Sequence, residues 1–151
     1  MRQLALYVLV LALGSGYGAA KDATVAELKA RLESARLEDR PELCMQIARR
    51  QLRDADTFYK DGKVEQAAAA VADIVAYSEK ARDAATQTKK HLKNVEIDVR
   101  KMAEKLRDIK RTLVFDDQAP VEQAIRRLED IRTALLKAMF ANDKEKEKEK
   151  Q

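Results

Sequence analysis

The sequence predicts an all-α protein: a four-helix mature chain whose long central helix, about 63–114, is shared by an N-terminal helical packing and a C-terminal antiparallel coiled-coil hairpin. The main observation is a run that steps by three and four residues without a break, through Val64, Ala67, Val71, Ile74, Ser78, Ala81, Ala85, Thr88, Leu92, Val95, Val99, Met102, Leu106, Ile109 and Leu113. No glycine or proline interrupts it. A second observation is composition: 37% charged residues and 46% hydrophobic ones, with four glycines, two prolines and no tryptophan in 151 residues, favour long exposed helices. The third is a pair of helix-start signals, one before each of the helices that precede the run.

The first twenty residues stand apart. Arg2 supplies a positive lead, Leu4 to Leu13 an apolar core too short to span a bilayer, and Gly18 and Ala20 a small-residue cleavage site. Residues 1–20 therefore read as a signal peptide, and the chain as exported, periplasmic or secreted. No transmembrane segment follows cleavage. Thirty basic and 26 acidic residues give +4, and removing Arg2 leaves 29 against 26, or +3. A finely mixed, mildly basic surface of this kind argues against nucleic acid as a partner.

The mature chain begins with a capping box, Thr24 followed by Glu27, that starts a helix of about 24–36 with Val25, Leu28, Leu32 and Ala35 on its buried face. Asp39 as N-cap and Pro41 in the first turn start a second helix, about 41–60, which stops at Asp61-Gly62. So short a loop forces an antiparallel hairpin with the run beginning at Lys63. At about 1.5 Å per residue the helix 63–114 would extend roughly 75 Å, so its two ends need different partners. Val114 to Pro120 then turn the chain, with Asp116 or Asp117 as N-cap. A last helix, about 118–141, carries Val121, Ala124, Ile125, Leu128, Ile131, Leu135, Ala138 and Met139 back along the run. Residues 142–151, DKEKEKEKQ after Asn142, offer nothing to a core and read as a disordered or frayed tail.

Within about residues 51–77, Ala55, Phe58, Tyr59, Gly62, Val64 and Ala67 place aromatics before a glycine turn and small residues after it. This stretch resembles the turn of a tetratricopeptide-type helical hairpin. The resemblance implies hairpin geometry for a single unit and no peptide-binding residues, because no second unit follows at the repeat period. In signal, size and composition the chain is also similar to small exported helical proteins of bacteria, which implies location and no activity.

No residue is assigned a catalytic, cofactor-binding or metal role. His91 is the sole histidine and stands among Lys89, Lys90 and Lys93; Asp116 and Asp117 sit where a helix N-terminus asks for acid. Cys44, in step with Ile47 and Ala48, reads as a buried small hydrophobe, with an intermolecular disulfide as its functional alternative. Phe58, Tyr59, Tyr77 and Phe140 read as core, or as the lining of a groove for a peptide or helix.

A non-catalytic exported protein acting as a structural or protein-protein interaction element of the cell envelope is the expected function. The candidate interaction surface is the middle of the long helix, where neither flanking packing reaches: Ser78, Lys80, Ala81, Arg82, Ala85, Thr88, Lys89, Lys90, His91 and Lys93. Small residues there would let a second copy approach as a homodimer. The basic ones would suit an anionic surface or envelope polymer, the alternative being a chaperone-like or polymer-binding protein.

Overall fold

A computed structural model describes residues 23–150, so the expected signal peptide at 1–20 lies outside the described residues. Five helices follow in order: α1 (Val25–Ser34), α2 (Arg40–Lys60), α3 (Val64–Thr88), α4 (Leu92–Thr112) and α5 (Gln118–Lys148), with a 3-10 turn (Phe115–Asp117) before α5. The fold is all-α, and no strand occurs among the described residues.

The continuous helix of about 63–114 is not formed. The run is divided at Lys89-Lys90-His91, where Lys89 (φ 57°) and His91 (φ 63°) both take left-handed backbone conformations. The chain reverses there. Two hairpins, α2–α3 and α4–α5, lie face to face, with α3 beside α5 and α2 beside α4. Ion pairs record the directions: Arg49 with Asp98 and Asp56 with Lys105 set α2 parallel to α4, while Arg107 with Glu129 and Arg132 with Glu96 set α4 antiparallel to α5. The result is an up-down-up-down bundle, with α1 laid across α2 and tied to α3 through Lys29 and Asp73.

Energetics explain the reversal. Each left-handed side-chain residue costs about 1–2 kcal/mol. A straight helix would leave the middle of the seam bare, whereas the bundle buries Ser78, Ala81, Ala84, Ala85 and Leu92. Full burial of a leucine contributes about 1.5–3 kcal/mol and each alanine methyl about 0.8, so closing the middle outweighs the strain of the turn. The spacing concealed the break because the step from Thr88 to Leu92 is four residues, leaving the seams of α3 and α4 in one apparent phase.

The core runs the length of the bundle, with Met45, Ile47, Val71, Ile74, Val95, Val99, Met102, Leu106, Val121, Leu128, Ile131 and Leu135 fully enclosed. Local signals behave unevenly. The Thr24–Glu27 capping box forms, its two bonds at 3.2 and 3.1 Å. Asp39 occupies the N-cap position but its carboxylate instead accepts from Arg36 Nε at 2.8 Å, and Asp117 makes no side-chain cap bond. At the other end α5 runs to Lys148 rather than stopping near 141. Lysine and glutamate are good helix formers, and Glu145 is tied to Lys89 at the α3–α4 reversal, which together support the extension.

Candidate functional site

The expected surface at the middle of the run does not stay together. Ser78, Ala81 and Ala85 are fully buried, and the Ser78 hydroxyl donates to the Ile74 carbonyl at 2.7 Å. The chain's own helices already occupy the face that was expected to meet a second copy. Thr88 donates to the Ala84 carbonyl at 2.8 Å and accepts from the Lys90 N–H at 3.3 Å, so it holds the reversal.

The basic residues divide between two places. On α3, the Lys80 ammonium lies 4.8 Å from the centroid of the Tyr77 ring, and Arg82 Nη2 contacts Asp83 Oδ1 at 2.7 Å. At the reversal, Lys89 pairs with Glu145 near the end of α5 and Lys90 pairs with Glu38 between α1 and α2. Both carboxylates feel this. The hydrogen bond and charge of Lys90, joined by the charge of Arg36, hold Glu38 below the usual carboxylate range, and Lys89 does the same for Glu145. His91 and Lys93 are exposed. Of the residues expected to form one basic patch, Lys89 and Lys90 therefore fasten one end of the bundle, while Lys80 and Arg82 are engaged within α3 and His91 and Lys93 remain exposed.

Cys44 is buried against the α3 side of the bundle, beside a 430 Å³ recess lined also by Leu32, Leu37, Lys80 and Ala84. Burial pushes its thiol up to about 11, against the smaller pull of Lys80 and Arg40. A thiol this enclosed and this basic is a poor nucleophile, which favours its role as a core residue over an intermolecular disulfide.

Exposed large apolar side chains lie elsewhere. Val114 and Phe115, at the turn between α4 and α5, are 68% and 86% exposed, and Phe140 on α5 is 66% exposed. Tyr77 is buried, and Phe58 and Tyr59 pack partly buried against the core, so of the four aromatics weighed as groove or core only Phe140 faces outward. The local chain order explains the Val114–Phe115 tip. Leu113 is the last residue of the α4 seam, Val121 the first buried residue of α5, and the intervening turn projects from the bundle. Burial raises the Tyr59 hydroxyl pKa and the Asp117 carboxylate adds to the rise, which places the end of α2 beside this turn.

A 520 Å³ groove opens next to the tip between α4 and α5, lined by Arg107, Lys110, Arg111, Gln118, Glu122, Ile125 and Arg126. Its charges are largely matched. Glu122 takes Arg126 at 2.9 Å and Lys110 at 3.5 Å, Arg107 pairs with Glu129, and Arg111 with Asp108 at 2.9 Å. Such a groove presents hydrogen-bonding groups of both signs on the same end of α4 and α5 as the turn that carries Val114 and Phe115, an arrangement suited to a protein surface. The sequence carried a signal for this tip: two large apolar residues lie in a turn between the last seam residue and an acidic pair, where polar residues would suffice.

No helix among the described residues is long and apolar enough to cross a membrane. Comparison of the chain with protein-family models, with curated proteins and with solved structures finds no match.

Proposed function

We propose that the protein is a non-catalytic, exported interaction element of the cell envelope that docks a protein partner through the α4–α5 tip. The observation that carries this reading is the exposure of two adjacent large apolar residues, Val114 and Phe115, at one turn; among the described residues the other large hydrophobic this open is Phe140, alone on α5. Leaving two large apolar side chains in water forgoes burial of roughly 1.5–3 kcal/mol each, a loss that a partner pocket would recover. Aromatic anchors surrounded by a mixed polar rim are the usual centre of such contacts. Export rests on the sequence of residues 1–20, with Arg2, the apolar Leu4 to Leu13 and the Gly18–Ala20 site.

The alternative, an anionic polymer held by the basic middle of the chain, is weakened because Lys89 and Lys90 already have carboxylate partners.

A photoreactive residue placed at position 115, compared with one at the exposed Asp130, tests the docking surface in intact cells. The reading expects a discrete protein adduct at 115 that is lost on adding Val114→Ser. Equal labelling at both positions would defeat it. Fusing residues 1–22 to a reporter active only outside the cytoplasm tests export separately, with an inactive fusion contradicting it.

A further inference from the structure

The reversal between α3 and α4 is built from residues that prefer to stay helical. Lys89, Lys90 and His91 include no glycine and no proline, yet Lys89 and His91 both hold left-handed backbone. On either side the seam keeps a single phase, with Ala81, Ala85 and Thr88 leading in threes and fours to Leu92, Val95 and Val99. The turn is therefore strained, and the strain disappears if Val64 to Thr112 forms one straight helix.

Straightening separates the two hairpins. The contacts it breaks are those between α2 and α4, between α3 and α5 and between α3 and α4, including Arg49 with Asp98 and Glu79 with Arg127. Every one of these can be remade with the same residues of a second copy, because each hairpin keeps its own internal packing. Short strained hinges favour this exchange.

We propose that the α3–α4 reversal is a domain-exchange hinge, through which two copies of this chain trade their α4–α5 hairpins and form a dimer with two long continuous helices crossing at Lys89–His91. The partner is a second copy, and the surface it uses is the inter-hairpin core, so the Val114–Phe115 tip stays free. In the closed monomer, Lys90 with Glu38 and Lys89 with Glu145 tie the hinge to both hairpins.

Two measurements test this on the chain lacking residues 1–20. After unfolding in guanidinium and refolding at submillimolar concentration, light scattering reads a dimer population for the wild type. Lys89→Gly with His91→Gly removes the strain from the turn and adds glycine's cost to the straight helix in both chains, weakening the dimer by about a thousandfold or more while the monomer stays folded. The second uses charge exchange. One chain carries Arg49→Glu and Glu79→Arg, and the other Asp98→Arg and Arg127→Glu.

Alone, each variant sets like charges across the hairpin interface; in an exchanged heterodimer both interfaces are matched. Refolding the two together should give heterodimer well above the statistical proportion. A wild type that stays monomeric, a dimer indifferent to the glycines, or statistical mixing each overturns the proposal.

Discussion

The molecule reverses direction twice with tight turns around α3, and the two turns are made differently. Between α2 and α3, Gly62 takes φ +72°, its N–H donates to the Tyr59 carbonyl at 3.1 Å, and Lys63 N–H donates to the Phe58 carbonyl at 2.8 Å. This is a Schellman closure, encoded by one glycine at the position that needs it. Between α3 and α4 the left-handed positions belong to Lys89 and His91, and the backbone N–H of Lys90 reaches a side-chain oxygen, Thr88 Oγ1. Local sequence writes the first turn; burial of the seams on both sides imposes the second. A turn imposed by packing leaves no mark in the residues that make it.

The comparison breaks most visibly at the packing beside the second turn. Leu92→Ala, immediately after the reversal and buried, should cost about 2–5 kcal/mol in denaturant unfolding. A cost of a few tenths would mean that the turn does not depend on that burial. Cys44, enclosed near Lys80 and Ala84 before the reversal, reports the same packing through pH. Its folded pKa of about 11 lies above the ordinary 9.0, so the stability it contributes is complete below pH 9 and is lost as pH rises toward 11. The wild type should lose up to about 2 kcal/mol across that range beyond the loss seen in Cys44→Ala. Parallel alkaline profiles would show the thiol to be open.

Smaller effects distinguish the turns themselves. Gly62→Ala meets no neighbouring atom within 4 Å, so its cost is conformational, about 1–2 kcal/mol. Lys89→Gly or His91→Gly should have the opposite sign, a gain of about 0.5–1 kcal/mol each, because relief of the left-handed strain exceeds glycine's added freedom in the unfolded chain. Equal signs at the two turns would erase the distinction between them.

Much of the architecture was legible in the chain. The α2–α3 hairpin, the capping box at Thr24, the start of α5 and the seam from Ala67 to Ile109 follow from spacing and turn chemistry, since each is a local consequence of residue type. The break at Lys89–His91 was not, because periodicity reports which side of a helix is apolar and is silent on whether the helix continues. That one omission carried the site with it. Had the run been straight, Ser78, Ala81 and Ala85 would have formed an open middle; once it folds back they are core, and Lys89 and Lys90 become ties between elements. The sequence reading takes Val114 to Pro120 only as a turn; the exposure of Val114 and Phe115 depends on how the α4 and α5 seams close beside them. The charged stretch after Asn142 reads as tail because it lacks apolar residues, whereas helix propensity and the tie of Glu145 to Lys89 carry it on to Lys148.

The fold-back at Lys89–His91 is tested most directly by a distance between spin labels at Gln66 and Thr112 in a Cys44→Ala chain, diluted with unlabelled protein and measured on the monomer. Helices packed at 8–10 Å put these two exposed positions at the same end of the bundle, within about 25 Å including label length. A distance near 70 Å, about 46 residues at 1.5 Å each, would mean that α3 and α4 are one helix in the monomer and that the bundle described above is wrong.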